Sequence, residues 1–297
     1  MRREASSRIQ DHPSQRSTAG CLIRLRSMIH TLKPAEKNIG AYVLLDPGAV
    51  IHMSISELAV RASVGESTII RFCRALGYEG YQEFKLRLAQ DLVEPVEYIH
   101  ENISFDDSIE DLTKKIFQTN LKAVEDTMKS LDRGMVEVAA KALADARKID
   151  LYGVGYSSFT ALDGKLKLTR LGLTADCYGD GHLQVMAAAS LRTGDAAIGI
   201  SHSGSTKDVV DTLAVARRSG AVTIAITNFS PSPLTKIADV ILLTSSPDTP
   251  LGGEVLTSRI AQLCVIDVLS VAVAVALGDR CLEFIRTSSE AVKSKRY

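Results

Sequence analysis

Five short apolar runs in the second half of the chain limit its fold more than any other feature of the sequence. They are rich in β-branched residues and read IDLYGV (149–154), TADCY (174–178), AAIGIS (196–201), VTIAIT (222–227) and DVILLT (239–244). Amphipathic helical stretches separate most of them, and this alternation is typical of a parallel sheet covered by helices on both faces. We therefore predict a doubly wound α/β domain with a five-stranded parallel sheet at 135–278, followed by a helical tail at 279–297.

The first third of the chain has a different pattern. Residues 1–20 are polar and basic and lack apolar periodicity, so we expect a disordered tail. From 21 to 93 apolar residues recur at spacings of three and four, which predicts a small all-α domain. Pro95 and an acidic patch come next, and we interpret 94–134 as a linker followed by one connecting helix.

Charge is distributed unevenly along a chain whose formal net charge is zero. Residues 1–90 contain 13 Lys and Arg against 8 Asp and Glu, so the helical part carries the positive excess. A positive surface suits polyanions such as the phosphate backbone of DNA. The first third is therefore the candidate for a nucleic-acid interface.

The cysteines and the hydropathy of the chain indicate the cellular compartment in which it folds. The five cysteines are isolated and none has a His or Cys neighbour at metal-ligand spacing, so we expect no metal and no cofactor. The long apolar stretch at 258–277 contains Arg259 and Asp267, and we interpret it as a core or dimer-interface helix, not a membrane span. A cytoplasmic protein without a membrane partner fits these observations best.

Residues 54–77 have the pattern of two short helices joined by a tight turn. We expect the first to begin near Ser56 and to be broken at Gly65, with the second running from Glu66 to a stop at Gly77. The polar face of the second helix combines hydroxyls with guanidinium groups, which suits the major groove of double-stranded DNA. The predicted DNA-binding residues are Ser67, Thr68, Arg71 and Arg74. The alternative is a helical bundle whose basic surface has no such role.

The same stretch resembles a known family. ISELAVRASVGESTIIRFCRALGYEGYQEFKLRL is similar to the N-terminal domain of the RpiR family of bacterial sugar-metabolism regulators, and the similarity extends over about 32–88. Its three parts are ISELA, then STIIRFCRALG, then GYQEFKLRL. The resemblance implies that the predicted residues lie on or beside a DNA-recognition surface.

Two loops of the α/β domain are rich in glycine and hydroxyl groups. GVGYSS at 153–158 and SHSGST at 201–206 each lie between a predicted strand and a predicted helix. Loops at the carboxyl ends of parallel strands form the ligand crevice, and helix N-termini there present free N–H groups to anions. Such loops can also serve only as turns. A nucleotide-binding loop is not expected, because GVGYSS lacks a third glycine and no G-K-[ST] occurs in a glycine-rich loop.

Residues from about 135 to 265 resemble the sugar isomerase (SIS) domain, whose phosphosugar signature SHSGST matches. The resemblance implies that Ser157, Ser201, Ser203 and Thr206 hold a phosphate, with Ser205 nearby. We expect the effector to be a phosphorylated sugar or sugar acid. The predicted effector-binding residues are Ser157, Ser158, Ser201, His202, Ser203, Gly204, Thr206 and Glu254.

SIS domains occur both in enzymes and in regulators, so the resemblance alone does not decide between these two functions. ALDGKLKLTR at 161–170 resembles a helix of glucosamine-6-phosphate synthase, but Arg170 stands where that helix has its catalytic glutamate. Isomerisation needs a base, and the other candidates are Asp180, His182 and Glu254. We interpret Glu254 as a helix cap or a ligand contact.

We therefore predict no enzymatic activity, but a transcriptional regulator, a repressor of carbohydrate metabolism genes. A homodimer or homotetramer would bind a two-fold symmetric DNA operator under the control of the phosphosugar. The alternative is a sugar-phosphate isomerase or lyase whose N-terminal domain serves oligomerisation.

Overall fold

The computed structural model describes residues 20–93, 103–104, 106–246, 255–293 and 295. The predicted tail, apart from Gly20, and the candidate Glu254 lie outside these residues. The first part of the chain is all-α. Its elements are α1 (Cys21–Met28), a 3₁₀ turn (Ile29–Thr31), α2 (Pro34–Leu45), α3 (Pro47–Val50), α4 (Ile55–Arg61), α5 (Glu66–Ala75) and α6 (Tyr81–Val93).

The apolar side chains of these helices pack together into one core. Phe72 of α5 and Phe84 of α6 are fully buried, and their rings meet edge to face with centroids 5.6 Å apart. Leu25, Ile39 and Leu58 bring α1, α2 and α4 into the same cluster. Proline begins α2 and α3 at a position where its missing N–H costs no helical hydrogen bond.

The second part contains the five predicted strands. Its elements are α7 (Ile109–Ser130), α8 (Arg133–Ala144), β1 (Ile149–Gly153), α9 (Tyr156–Arg170), β2 (Ala175–Tyr178), α10 (Gly181–Ala189), β3 (Ala196–Ile200), α11 (Lys207–Arg218), β4 (Val222–Thr227), β5 (Val240–Leu243), α12 (Val255–Leu277) and α13 (Asp279–Lys293). The strands form one sheet in the order β2-β1-β3-β4-β5, and every neighbouring pair is parallel. The predicted doubly wound α/β fold is confirmed.

Successive side chains of the strands pack into two hydrophobic cores, one on each face of the sheet. Leu151 of β1 packs with α8, α9 and α12 on one face of the sheet, where Leu143, Leu168 and Val265 are buried. The next residue, Tyr152, packs on the other face with residues such as Val209 from α11. Helices therefore cover both faces, which is why the strands are predominantly apolar.

Helix α12 contains Thr257–Leu277, the one described segment that is long and apolar enough to cross a membrane by length and composition alone. Its buried side chains, among them Val265, Leu269 and Val273, belong to the core beneath the sheet. Val271 and Val275 remain exposed on its outer side. Part of its apolar surface thus serves the core, and part faces solvent.

Helix α7 connects the two parts. Thr127 pairs with Ser245 beyond β5, since its hydroxyl donates to the Ser245 carbonyl at 3.2 Å and accepts from the Ser245 N–H at 3.0 Å. On the other side Arg26 of α1 reaches the buried carboxylate of Asp126, with the Nη1 and Oδ2 atoms 3.4 Å apart. The connecting helix therefore contacts both the sheet domain and the helical domain.

Candidate functional site

The strand order places the two predicted ligand loops side by side. β1 and β3 are adjacent and parallel, with Gly153 opposite Ile200, so the loops that follow them leave the same edge of the sheet. The first loop leads into α9 on one face and the second leads into α11 on the opposite face. Connections that diverge in this way leave a crevice between them, the usual ligand position in open α/β sheets.

The loop after β1 leads into a helix without a side-chain cap. Gly155 is the N-cap residue of α9, and none of its first N–H groups is bonded to a capping side chain. Ser158 donates its hydroxyl to the Gly155 carbonyl at 2.6 Å. Ser157 is half-buried, and its hydroxyl lies 3.3 Å from the side-chain nitrogen of Gln262. The Ser158 N–H donates to the Gly155 carbonyl at 3.1 Å, and no side chain caps the N–H groups that precede it, which suits a bound anion.

Gln262, which was not among the predicted residues, contacts the loop after β1. It lies on α12, is almost fully buried, and its Oε1 accepts a hydrogen bond from Thr160 at 3.2 Å. The amide thereby holds the side chains of Ser157 and Thr160 on the first turn of α9. A polar amide within a long apolar run is the sequence signal that could have identified it.

The loop after β3 is closed by its own hydroxyls. Ser201 is buried, and its Oγ lies 2.9 Å from Oγ1 of Thr206. Ser203 accepts a hydrogen bond from the Ser205 N–H at 3.2 Å. Thr206 is the N-cap residue of α11 and makes no side-chain cap, so this helix start is also open. The predicted hydroxyls of Ser201, Ser203 and Thr206 therefore lie in one turn.

Gly204 makes this turn compact. Its φ is +62°, and a Cβ atom there would lie 2.3 Å from Oγ of Ser232 and 2.9 Å from Oγ1 of Thr227. The Gly204 carbonyl also accepts from the Leu234 N–H at 2.9 Å. The turn is thus packed against the segment that follows β4, and only glycine fits.

His202 is placed differently from its neighbours in the motif. Its side chain is buried, and its ring meets the ring of Phe229 edge to face with centroids 5.4 Å apart. Its carbonyl accepts from the Asn228 N–H at 3.0 Å and from the Thr227 hydroxyl at 3.1 Å. His202 therefore contacts the segment after β4, whereas Ser203 and Thr206 are only half-buried.

One of the candidate bases, Asp180, serves a structural contact. Asp180 caps α10 by accepting from the N–H groups of His182 and Leu183, both at 3.0 Å. Asp163 pairs with Lys167 at 2.5 Å. Arg170 is exposed at the end of α9.

The lysines near the loops are also engaged in ion pairs. Lys165 pairs with Asp176 at 3.1 Å, which raises the lysine pKa, and Lys207 pairs with Asp211. Among the described residues no group of three His, Cys, Asp or Glu could hold a metal ion. Hydroxyls and backbone N–H groups are thus the main polar groups at the two loops.

The predicted pair of short helices corresponds to α4 and α5, and α5 begins at Glu66 as predicted. Helix α4 begins at Ile55, near the predicted start, and Ser54 caps it: the Ser54 hydroxyl accepts from the Glu57 N–H while the Ser54 N–H donates to the Glu57 carboxylate. These bonds hold the pKa of Glu57 below its usual range. The chain reverses at Ser63, whose φ is +53°, and Gly65 is the N-cap residue of α5.

The exposed face of α5 carries three of the four predicted DNA contacts. Ser67, Arg71 and Arg74 are exposed, but Thr68 is 8% exposed, so its predicted position on that face is wrong. Its Oγ1 instead accepts a hydrogen bond from Nη2 of Arg71 at 3.1 Å. Thr68 thus orients a neighbouring guanidinium. The face also includes Ile70, 36% exposed.

Comparisons with known proteins match both parts of the chain. Residues 19–95 match a family model described as a helix-turn-helix domain of the rpiR family, and 142–272 match the SIS domain. An HTH-type transcriptional regulator of Caldanaerobacter subterraneus subsp. tengcongensis is 37% identical over 272 residues, which are 92% of this chain and 96% of the relative. The HTH-type transcriptional regulator HexR of Escherichia coli (strain K12) is 33% identical over 276 residues, which are 93% of this chain and 95% of HexR.

A solved structure extends the similarity to three dimensions. The Vibrio vulnificus NanR protein complexed with ManNAc-6P superposes with a TM-score of 0.60 at 27% identity, covering 93% of this chain and 99% of that one. The resemblance inferred from ISELA, STIIRFCRALG and SHSGST is confirmed. This chain belongs to the rpiR family of helix-turn-helix transcriptional regulators that carry a SIS domain.

Proposed function

We propose that this regulator is a cytoplasmic repressor of carbohydrate metabolism genes whose affinity for its operator is set by a phosphorylated sugar or sugar acid. The observation that carries the proposal is the arrangement of two hydroxyl-rich turns on adjacent parallel strands, each leading into a helix start without a side-chain cap. The effector phosphate would lie between these turns.

The chemistry of the crevice favours an anion. No side chain caps the first N–H groups of α9 and α11, whereas those of α10 are occupied by the carboxylate of Asp180. A helix start carries partial positive charge, and hydroxyls add hydrogen bonds to phosphate oxygens without a formal charge. NanR, the structural relative, is complexed with ManNAc-6P, which supports a phosphosugar as the class of ligand.

Within the crevice, we assign the phosphate to the hydroxyl groups of the two loops. The proposed effector contacts are Ser157, Ser158, Ser201, Ser203 and Thr206. Gly204 allows the turn to pack against Ser232, and the side chain of His202 contacts Phe229. Glu254 precedes α12 in the sequence, and we keep it as a proposed ligand contact.

On the DNA side, we assign base and phosphate contacts to the exposed residues of α5. Arg71 and Arg74 provide guanidinium groups and Ser67 provides a hydroxyl at the N-terminal end of the helix. Thr68 contributes by holding Arg71. The N-terminal half of such a helix is the part that enters the major groove in helix-turn-helix proteins.

Self-association is part of the proposal, because two-fold symmetric operators are bound by dimers. Helix α9 leaves a row of apolar side chains in contact with solvent, and contiguous apolar surface of this kind marks an interaction site. The exposed residues are Tyr156, Phe159, Leu162 and Leu166. We propose a homodimer or homotetramer, which light scattering of the purified chain would distinguish from a monomer.

One experiment on the purified full chain tests the function. DNA flanking its own gene is titrated in the presence and absence of glucose 6-phosphate, fructose 6-phosphate, 6-phosphogluconate and ManNAc-6P, and turnover of each sugar is assayed in parallel. We expect salt-dependent binding with a dissociation constant on the order of 10 nM, at least a fivefold change with one of these sugars, and no turnover. Rapid conversion of a sugar phosphate without specific DNA binding would favour the isomerase or lyase instead.

A further inference from the structure

The segment that follows β4 contacts both the phosphosugar motif and the DNA-binding domain. Phe229 in this segment is 5% exposed, and its ring lies between two histidine rings. The centroid of His202, in the 201–206 turn, is 5.4 Å away at an interplanar angle of 78°. The centroid of His30, in the 3₁₀ turn after α1, is 4.7 Å away at 82°. One aromatic ring therefore joins the two domains.

The residues on either side of Phe229 form hydrogen bonds to the same two regions, the 201–206 turn and α1. The Asn228 N–H donates to the His202 carbonyl at 3.0 Å, which fixes the segment to the phosphosugar motif. The Ser230 N–H donates to the Ser27 carbonyl at 3.1 Å, which fixes it to the last turn of α1. Three consecutive residues, 228–230, thus together contact both the 201–206 turn and α1 with the 3₁₀ turn that follows it.

The surrounding interface is incompletely packed. A cleft of about 270 Å³ lies beside these contacts, between α1 and the ends of β4 and β5, and Met28, Ser130 and Leu243 line part of it. Small or loosely packed contacts between domains permit relative motion. The Phe229 contact is therefore a localised connection and is not embedded in a continuous core.

We propose that Phe229 couples the 201–206 turn to the DNA-binding domain, so that occupation of the turn changes how α1 docks on the sheet domain. The inference rests on the proposed function and names the route by which the effector acts. A ligand that reorganises the turn moves the backbone of His202, and the close packing of Gly204 against Ser232 passes that movement to the segment holding Phe229. Coupling between two sites is reciprocal, so DNA bound to α5 must also affect the turn.

Reciprocity provides a test that does not require the natural effector. The DNA probe is a duplex recovered from a random-sequence library by the wild-type full chain, and the readout is amide hydrogen exchange of peptides spanning 198–206 and 226–234. We expect saturating DNA to change exchange in these peptides about fivefold or more. The change should be lost in His30→Ala and in Phe229→Leu, with DNA affinity retained within about twofold of wild type.

Two further variants separate coupling from folding. His30 is exposed, so His30→Ala removes the ring contact without disturbing the core. It therefore tests the coupling even where Phe229→Leu destabilises the domain. His30→Phe restores an aromatic edge and should restore the response. His52→Ala, at an exposed histidine of the same domain, is the matched control and should behave as wild type.

The outcomes distinguish the inference from the function on which it rests. A chain that selects no duplex, or one that converts sugar phosphates without binding DNA, overturns the proposed function and the inference with it. A chain that binds DNA but shows no exchange response at 198–206, or one whose response survives in His30→Ala, overturns the coupling through Phe229 alone.

Discussion

The hydroxyl oxygens of Ser201 and Thr206 lie 2.9 Å apart and join the end of β3 to the start of α11. A bond between two hydroxyls consumes one of their two hydrogens, so the other is available to a ligand oxygen. This spare donor lies at a helix start whose own N–H groups have no side-chain cap. The pair is thus part of the turn and part of the proposed anion site at once.

Removing one hydroxyl of this pair should weaken effector binding. Thr206→Val keeps the side-chain shape, so the free energy of unfolding should change by only about 1 kcal/mol. Calorimetry should show roughly a tenfold loss of affinity for the sugar phosphate that binds the wild type, since hydrogen bonds to charged groups contribute about 1.5–3 kcal/mol.

Thr212→Val is the matched control on the same helix. Thr212 is fully buried, and within the described residues its hydroxyl has no hydrogen-bond partner. Its replacement should leave effector affinity unchanged and raise the free energy of unfolding by about 1 kcal/mol or more. Equal loss of affinity in both variants would contradict the role of Thr206.

Gly204→Ala should destabilise the sheet domain strongly. The substitution combines a positive φ with a Cβ 2.3 Å from Oγ of Ser232, and we expect a cost above about 2 kcal/mol in urea unfolding. Gly278, with φ of +57° and no heavy atom within 4 Å of the added Cβ, has the backbone penalty without the clash. Gly278→Ala should cost about 1 kcal/mol, and a similar cost at both positions would argue against the close packing of the turn.

The strands and the ligand turn could be predicted from the sequence because local patterns specify them. Each strand is a short apolar run, and burial on both faces explains why no alternation appears in AAIGIS or VTIAIT. The predicted fold, a helical domain followed by a five-stranded parallel sheet, follows from these runs and is the one observed. The position of SHSGST after β3 also follows from chain order alone.

Details of the two surfaces could not be predicted, because they depend on contacts between distant residues. Thr68 has the polarity of a surface residue, yet packing of α5 buries it and leaves Ile70 partly exposed. The turn before α5 was expected at Gly65, but Ser63 adopts the positive φ. Gln262 reaches Ser157 across about 105 positions of sequence, a distance that no local pattern encodes.

The contact between Thr68 and Arg71 predicts an indirect effect on DNA binding. Arg71→Ala should lower affinity for the operator and reduce the slope of log affinity against log salt by about 1, because one phosphate or base contact is lost. Thr68→Val removes only the oxygen that accepts from Arg71, so it should weaken binding less.

A double-mutant cycle tests whether Thr68 acts through Arg71. If it does, Thr68→Val has no further effect in the Arg71→Ala background, as fluorescence anisotropy at several salt concentrations would show. Arg286→Ala removes an exposed arginine of α13 and should leave the salt slope unchanged. Additive losses in the double variant would mean that Thr68 contributes by another route.

The buried thiols of the helical domain predict how its stability depends on pH. Burial raises the pKa of both Cys21 and Cys73 from the ordinary 9.0 to about 12. Between these values the unfolded chain releases thiol protons that the folded chain retains, so the free energy of unfolding falls as pH rises from 9 towards 12. Each thiol contributes at most about 1.4 kcal/mol per pH unit in that window and nothing below it. Urea unfolding followed by circular dichroism at pH 8, 9.5 and 10.5 measures the slope, which should be shallower in Cys73→Ala; an equal slope would show that the thiol is not protected.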